Sequence, residues 1–205
     1  PGNPDGTWTQ EVKMLGIQSN LRSQFITDEE RWVMDTGEDI IGNTYLKKSK
    51  VNLQKVDLVF CGYGVTAPEY EWDDYKDIDV KNKVVVVLVN DPPVKKGDKL
   101  DPDMFKGNAM TYYGRWSYKY EEAMRRGAAG AIVIHEDIPA GYPFSVLQSG
   151  HDTERLTIEK NKSLKFEGWI PVETAERLFT MGGLNFNQVK AKANNPNFKS
   201  FKMNV

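Results

Sequence analysis

Two Val-rich runs decide the fold: VDLVFCGYG, Val56 to Gly64, and KVVVVLVN, Lys83 to Asn90. Each is a continuous apolar stretch bounded by turn residues. This is the pattern of a strand covered on both faces rather than one with a wet side. A third run, AAGAIVIHE (Ala128 to Glu136), follows RWSYKYEEAMRRG (Arg115 to Gly127). There Trp116, Tyr120, Ala123 and Met124 stand at offsets of 0, 4, 7 and 8, the apolar stripe of an amphipathic helix. Gly127 is placed as a left-handed stop, and Arg125 and Arg126 suit the negative end of the helix dipole. Strand, loop, strand, helix, strand reads as an α/β fold.

Outward from this centre the pattern changes. TQEVKMLGIQ from Thr9, ERWVMD around Trp32, SLKFEGWI around Trp169 and NFKSFKMNV at the end alternate partially, as strands with one wet face do. PVETAERLFTMGG places Pro171 in a first helical turn and Gly182 or Gly183 at its end, and NFNQVKAKANN offers Asn185 or Asn187 as an N-cap. The expectation is a mixed sheet core with a few helices and a strand-rich rim. The run APEYEWDDYKDIDVKN (Ala67 to Asn82) reads as a loop, and DPPVKKGDKLDPDMFKG (Asp91 to Gly107), with three prolines, as a long surface excursion.

Composition bounds the function. With 205 residues, of which 40% are hydrophobic, the chain can bury a core as one domain. Lys and Arg number 27 against 29 Asp and Glu, so no positive field exists to hold a phosphate backbone, and nucleic acid is not expected as a partner. No apolar run approaches the roughly 20 residues of a membrane span. Cys61 is the sole cysteine, which excludes an internal disulfide and a Cys-based zinc site and makes it a small buried hydrophobe.

Several motifs read plainly. Gly62, Gly64 and Ala67 form G-x-G-x-x-A after a strand, yet Pro68 follows where the dinucleotide fingerprint needs a helix, so the glycines serve a tight turn. His135 ends an apolar strand and reads as a satisfied edge residue; His151 lies in a polar loop, facing water or a surface metal. No common hydrolase or phosphotransferase motif occurs. Asp73, Asp74, Asp77 and Asp79, and then Asp98, Asp101 and Asp103, lack the calcium-loop spacing and read as solvated charge. Aromatics concentrate at Tyr63, Tyr70, Trp72 and Tyr75 and again from Tyr112 to Tyr120; half are expected in the core and the rest on a surface suited to peptide or domain contact. Asn161-Lys162-Ser163 is a formal glycosylation sequon.

The stretches Asp57 to Pro93, Ala109 to Asp137 and Pro139 to Gln148 together resemble the protease-associated (PA) domain. The likeness is to the form carried by bacterial relatives of the two-zinc aminopeptidases, a lineage that includes glutamate carboxypeptidase II and the transferrin receptor. The GYG-APEY-WDDY phrase and the phrase RRGAAGAIVIHE carry it; GTWTQEVKMLG and FEGWIPVETAERLF extend it to the flanks. The resemblance implies a swivelling β/β/α module, residues 1–205 with flanking segments, cut from a larger peptidase chain. It implies a non-catalytic role: capping the active site of a secreted or envelope aminopeptidase, with its own catalytic domain and the peptide substrate as partners. Zinc is expected in that catalytic domain and no cofactor in this chain. In relatives the loop after the first core strand reaches substrate; the matching positions here offer Tyr63, Glu69, Tyr70 and Trp72 as contacts, by location and not by residue type. The alternatives are a free-standing peptide- or protein-binding module and a hydrolase using dispersed carboxylates or His151.

Overall fold

The computed structural model describes residues 2–159 and 163–205; Asn161 and Lys162 of the sequon lie outside them. Among the described residues the central sheet has six strands. Their order is Phe201–Lys202, Leu58–Phe60, Val84–Leu88, Gly130–His135, Phe166–Pro171 and Ile41–Asn43. The inner four are parallel, and the two edge strands run antiparallel to them. The Val-rich runs sit at the middle because alternate residues must be apolar on both faces. Phe60, Val86, Leu88 and Ile134 bury on one side, and Val59, Val85, Val87 and Val133 on the other.

Helices Val172–Met181 and Phe186–Ala193 cover the first face through Ala175, Leu178, Phe179, Phe186 and Val189. Asn185 is the N-cap, its side chain accepting from the Gln188 amide at 3.0 Å, and Gly183 takes φ +75° after the preceding helix. Helix Trp116–Arg125 lies on the second face through Tyr120 and Ala123 and ends at Gly127 with φ +78°. Its buried stripe is wider than the one read from the sequence. Trp116 is 49% exposed, while Tyr118, Lys119 and Glu122 are buried, because the segment following Phe60 folds over the flank of the helix that periodicity leaves polar.

SLKFEGWI is also placed differently from its reading. Phe166–Pro171 is an interior strand, with Gly168, Trp169 and Ile170 buried between two neighbours rather than wet on one side. The Phe166 ring occupies the space over Gly42 and Gly168, so a Cβ at Gly168 would lie 2.5 Å from it. The remaining rim consists of short ribbons: Met14–Ile17 with Arg155–Ile158, and Gln24–Ile26 with Arg31–Val33. The excursion after Asp91 carries a two-residue ribbon, Lys95–Lys96 with Lys99–Leu100, and drives Phe105 into the core at 1% exposure. Phe105 reaches that position at φ +48°, a conformation that costs a non-glycine residue about 1 kcal/mol or more.

Candidate functional site

The segment leaving the first inner strand is built around a buried carboxylate. Gly62 and Gly64, at φ +52° and +62°, turn the chain so that its amides face inward. Asp74 fills the turn: Oδ2 accepts from the amides of Tyr63 at 3.1 Å and Val65 at 3.0 Å, and Oδ1 accepts from the Trp72 indole at 2.9 Å. A glycine-rich turn of this kind can cradle an anionic ligand; here the anion is the chain's own side chain. Burial pushes Asp74 up to about 7, against the opposing pull of the Val65 amide, Lys119, the indole and the Tyr63 amide. Lys119 is itself fully buried, donates to the Asn90 carbonyl at 2.9 Å, and is brought down to about 7 by burial.

A second network fixes the outer part of the segment. Tyr118 Oη lies 3.1 Å from both the amide and the carbonyl oxygen of Thr66. Glu122, buried on the helix, accepts from Arg126 Nε at 2.9 Å and from Thr66 Oγ1 at 3.0 Å, and Arg126 continues to Asp73 at 3.3 Å. The Thr66–Ala67 and Trp72–Asp73 ribbon closes the base, and a single 3-10 turn, Pro68–Tyr70, makes the tip.

The four sequence-predicted contacts therefore separate. Tyr63 and Trp72 are core residues, at 4% and 1% exposure, and present no free surface. Tyr63 is turned inward to Asn194 at 2.9 Å, and Trp72 is held by Asp74 and by the Phe105 ring at 5.5 Å. Glu69 is exposed at the tip and accepts from Tyr113 Oη at 2.7 Å, which pushes that phenol up to about 12. Tyr70 is half-buried, its ring tilted against that of Phe105 with the centroids 4.5 Å apart. The accessible surface is thus Pro68, Glu69 and Glu71, with Tyr70 partly exposed among them.

No protein-family model and no curated protein matches this chain.

Other residues also stand apart from their sequence reading. Asp74 is not solvated charge, whereas Asp77 and Asp79 in the same run are exposed. His135 is not at an edge: its strand lies between two parallel neighbours, and its side chain is 1% exposed. His151 is partly buried over Gly37, with Nδ1 2.8 Å from the Gln148 carbonyl. Among the described residues no group of three or more His, Cys, Asp and Glu could hold a metal ion. Burial pushes the Cys61 thiol up, as befits an inert core residue. No described helix is long and apolar enough to cross a membrane.

One surface departs from the usual pattern. In the Met14–Ile17 and Arg155–Ile158 ribbon, Met14 faces Ile158 and Gly16 faces Leu156. This is the outward side, with Met14 53%, Leu156 69% and Ile158 60% exposed, while Arg155 and Thr157 lie on the more covered side. A two-stranded ribbon with one wet face normally turns its polar residues to solvent; this one exposes Met14, Leu156 and Ile158, while Leu15 and Ile17 share the more covered side with Arg155 and Thr157.

Proposed function

We propose that this chain is a non-catalytic accessory module of the protease-associated type, docking on the catalytic domain of a two-zinc aminopeptidase and helping to cap its active site. The outward apolar face of the ribbon is the observation that carries this reading, because a contiguous exposed apolar patch marks a surface destined for cover. The mixed α/β sheet agrees with the resemblance noted in the sequence. The acidic tip at Glu69 and Glu71, held by the Asp74 and Arg126 networks, is the part that would reach a neighbouring substrate, and peptide is the substrate class. An extracytoplasmic location follows from the resembled family.

The test is aminopeptidase turnover on an aminoacyl-nitroanilide panel, with zinc content by mass spectrometry, for this chain and for the longest parent chain that contains it. An inactive, zinc-free chain beside an active, zinc-loaded parent is expected, and Leu156→Lys with Ile158→Lys should weaken the parent's domain contact. Turnover or stoichiometric zinc in the chain alone would overturn the reading. A second reading, a free-standing peptide-binding module, is favoured by the half-buried Tyr70 beside Tyr113 and by Tyr112, which is 53% exposed. Saturable peptide binding by the chain alone would select it.

A further inference from the structure

The strongest unassigned feature lies at the edge of the central sheet. Phe201–Lys202 pairs with Leu58–Phe60 on one side, and among the described residues no strand lies on the other. The register sets Phe201 opposite Phe60 and Lys202 opposite Val59, and the Met203 amide donates to the Leu58 carbonyl at 2.8 Å. In an antiparallel pair such bonds fall on every second residue, so Phe201 and Met203 turn their backbone groups inward and Lys202 turns its amide and carbonyl outward. Neither of these Lys202 groups has a hydrogen-bond partner among the described residues. A lysine on a short edge strand commonly guards it against pairing with another chain. Here that charge is met by Asp57, 2.9 Å from Lys202 Nζ, so the edge keeps an open donor and acceptor beside a paired side chain.

A cleft of about 630 Å³ has Phe201 of this strand in its wall. Its apolar part is made by Leu184, Val189, Phe198 and Phe201. The Phe198 and Phe201 rings are half-buried, with centroids 6.4 Å apart, and each packs on the Phe60 ring of the sheet at 5.8 Å. This floor is continuous with the core and open to solvent at the same time.

The charged part of the wall is of one sign. Lys192, in the last turn of helix Phe186–Ala193, and Lys199, in the segment leading to the edge strand, line the cleft, and no Asp or Glu does. Lys190 and Lys202 nearby are met by Glu136 and Asp57. Lys192 and Lys199 are exposed, and their side chains have no ion-pair or hydrogen-bond partner among the described residues. In a chain with 29 Asp and Glu against 27 Lys and Arg, a wall with two unpaired cations and no carboxylate favours an anionic guest.

We propose that this cleft and the open edge of Phe201–Lys202 bind an extended peptide segment in which a bulky apolar side chain is flanked by acidic residues. The peptide backbone pairs with the Lys202 amide and carbonyl, its apolar side chain rests on Phe198 and Phe201, and its carboxylates face Lys192 and Lys199. Strand addition of this kind takes affinity from main-chain hydrogen bonds and selectivity from what lies beside the edge. The site uses neither the ribbon nor the Pro68–Tyr70 tip, so its failure leaves the docking reading standing.

Amide chemical-shift titration of the whole chain at low ionic strength tests it, with acetyl-Asp-Val-Phe-Val-Asp-amide as the probe. Saturable shifts centred on Val189, Lys192 and the amides from Phe198 to Met203 are expected. The same peptide N-methylated at every residue, which cannot donate to the edge, and acetyl-Lys-Val-Phe-Val-Lys-amide should each bind roughly tenfold more weakly or worse. Lys192→Glu with Lys199→Glu should weaken the acidic peptide by roughly tenfold and strengthen the lysine peptide. Absence of saturation, shifts centred on Tyr70 and Tyr112 or on the ribbon, or equal binding of the methylated or the lysine peptide would overturn the proposal. So would sodium phenylacetate that saturates the same amides as tightly as the peptide, since the site would then take a small anion and not a strand. The three peptides on the wild-type chain decide the matter if the double variant fails to fold.

Discussion

The Trp72 indole donates to the Asp74 carboxylate at 2.9 Å across two positions of the chain, and both side chains are buried. The same carboxylate accepts from the amides of Tyr63 and Val65, so one side chain satisfies three donors that the segment could not otherwise bury. Asp74→Ala leaves all three unpaired and is expected to lower unfolding stability by about 3 kcal/mol in urea titrations, with Asp74→Asn losing about half as much because one acceptor remains. An Ala variant as stable as the parent would show that the carboxylate is not the clamp.

The pH dependence follows from the buried pair. Asp74 is raised from 3.8 to about 7, so within that window the folded chain holds more protons there than the unfolded one, and stability from this group falls as pH rises. Lys119 is lowered from 10.5 to about 7, so above neutrality the folded chain holds fewer protons, and stability from this group rises with pH. The difference in unfolding free energy between the parent and an Asp74→Asn, Lys119→Met variant should therefore pass through a minimum near pH 7. Urea titrations from pH 4 to 10 measure it, and a flat difference would contradict both shifts.

Cys61 has no exposure and a thiol that burial keeps protonated. Ellman's reagent should leave the native chain unlabelled and react in denaturant, the labelling rate under native conditions reporting the opening of the central sheet. Rapid native labelling would place the thiol outside the core.

The Phe166 ring and Gly168 share one space, and a Cβ there would also come within 3.2 Å of the Ile41 carbonyl. Gly168→Ala is expected to cost about 1–3 kcal/mol through overpacking. In a Phe166→Leu background the added cost should shrink, and a double-mutant cycle in thermal or urea unfolding reads the coupling. Equal costs in both backgrounds would assign the strain to the backbone contact alone.

Leu156 and Ile158 touch solvent rather than core, so Leu156→Lys and Ile158→Lys should each change stability by no more than about 0.5 kcal/mol. Calorimetry checks this. A large loss would mean that the outward face of the ribbon is structurally engaged within the chain itself.

The sequence by itself determined the centre of this protein: the Val84–Leu88 and Gly130–His135 strands, the helix ending at Gly127 and an asparagine cap at Asn185 or Asn187, of which the structure uses Asn185, follow from apolar period and local backbone chemistry, which act over a few residues. Tertiary structure alone decided what those elements bury beyond their own period. Nothing in EYEWDDY separates the clamping Asp74 from the exposed Asp77 and Asp79 that follow, because the amides that select it are brought to it by the Gly62 and Gly64 turn. Lys119 and Glu122 lie on a flank that helical periodicity leaves polar, and only the covering segment makes them interior. Tyr63 and Trp72 became core for the same reason. The cleft at the sheet edge sets Lys192 of the last helix beside Phe198, Lys199 and Phe201 of the chain that follows, and only the antiparallel return of that chain to Leu58–Phe60 places them together.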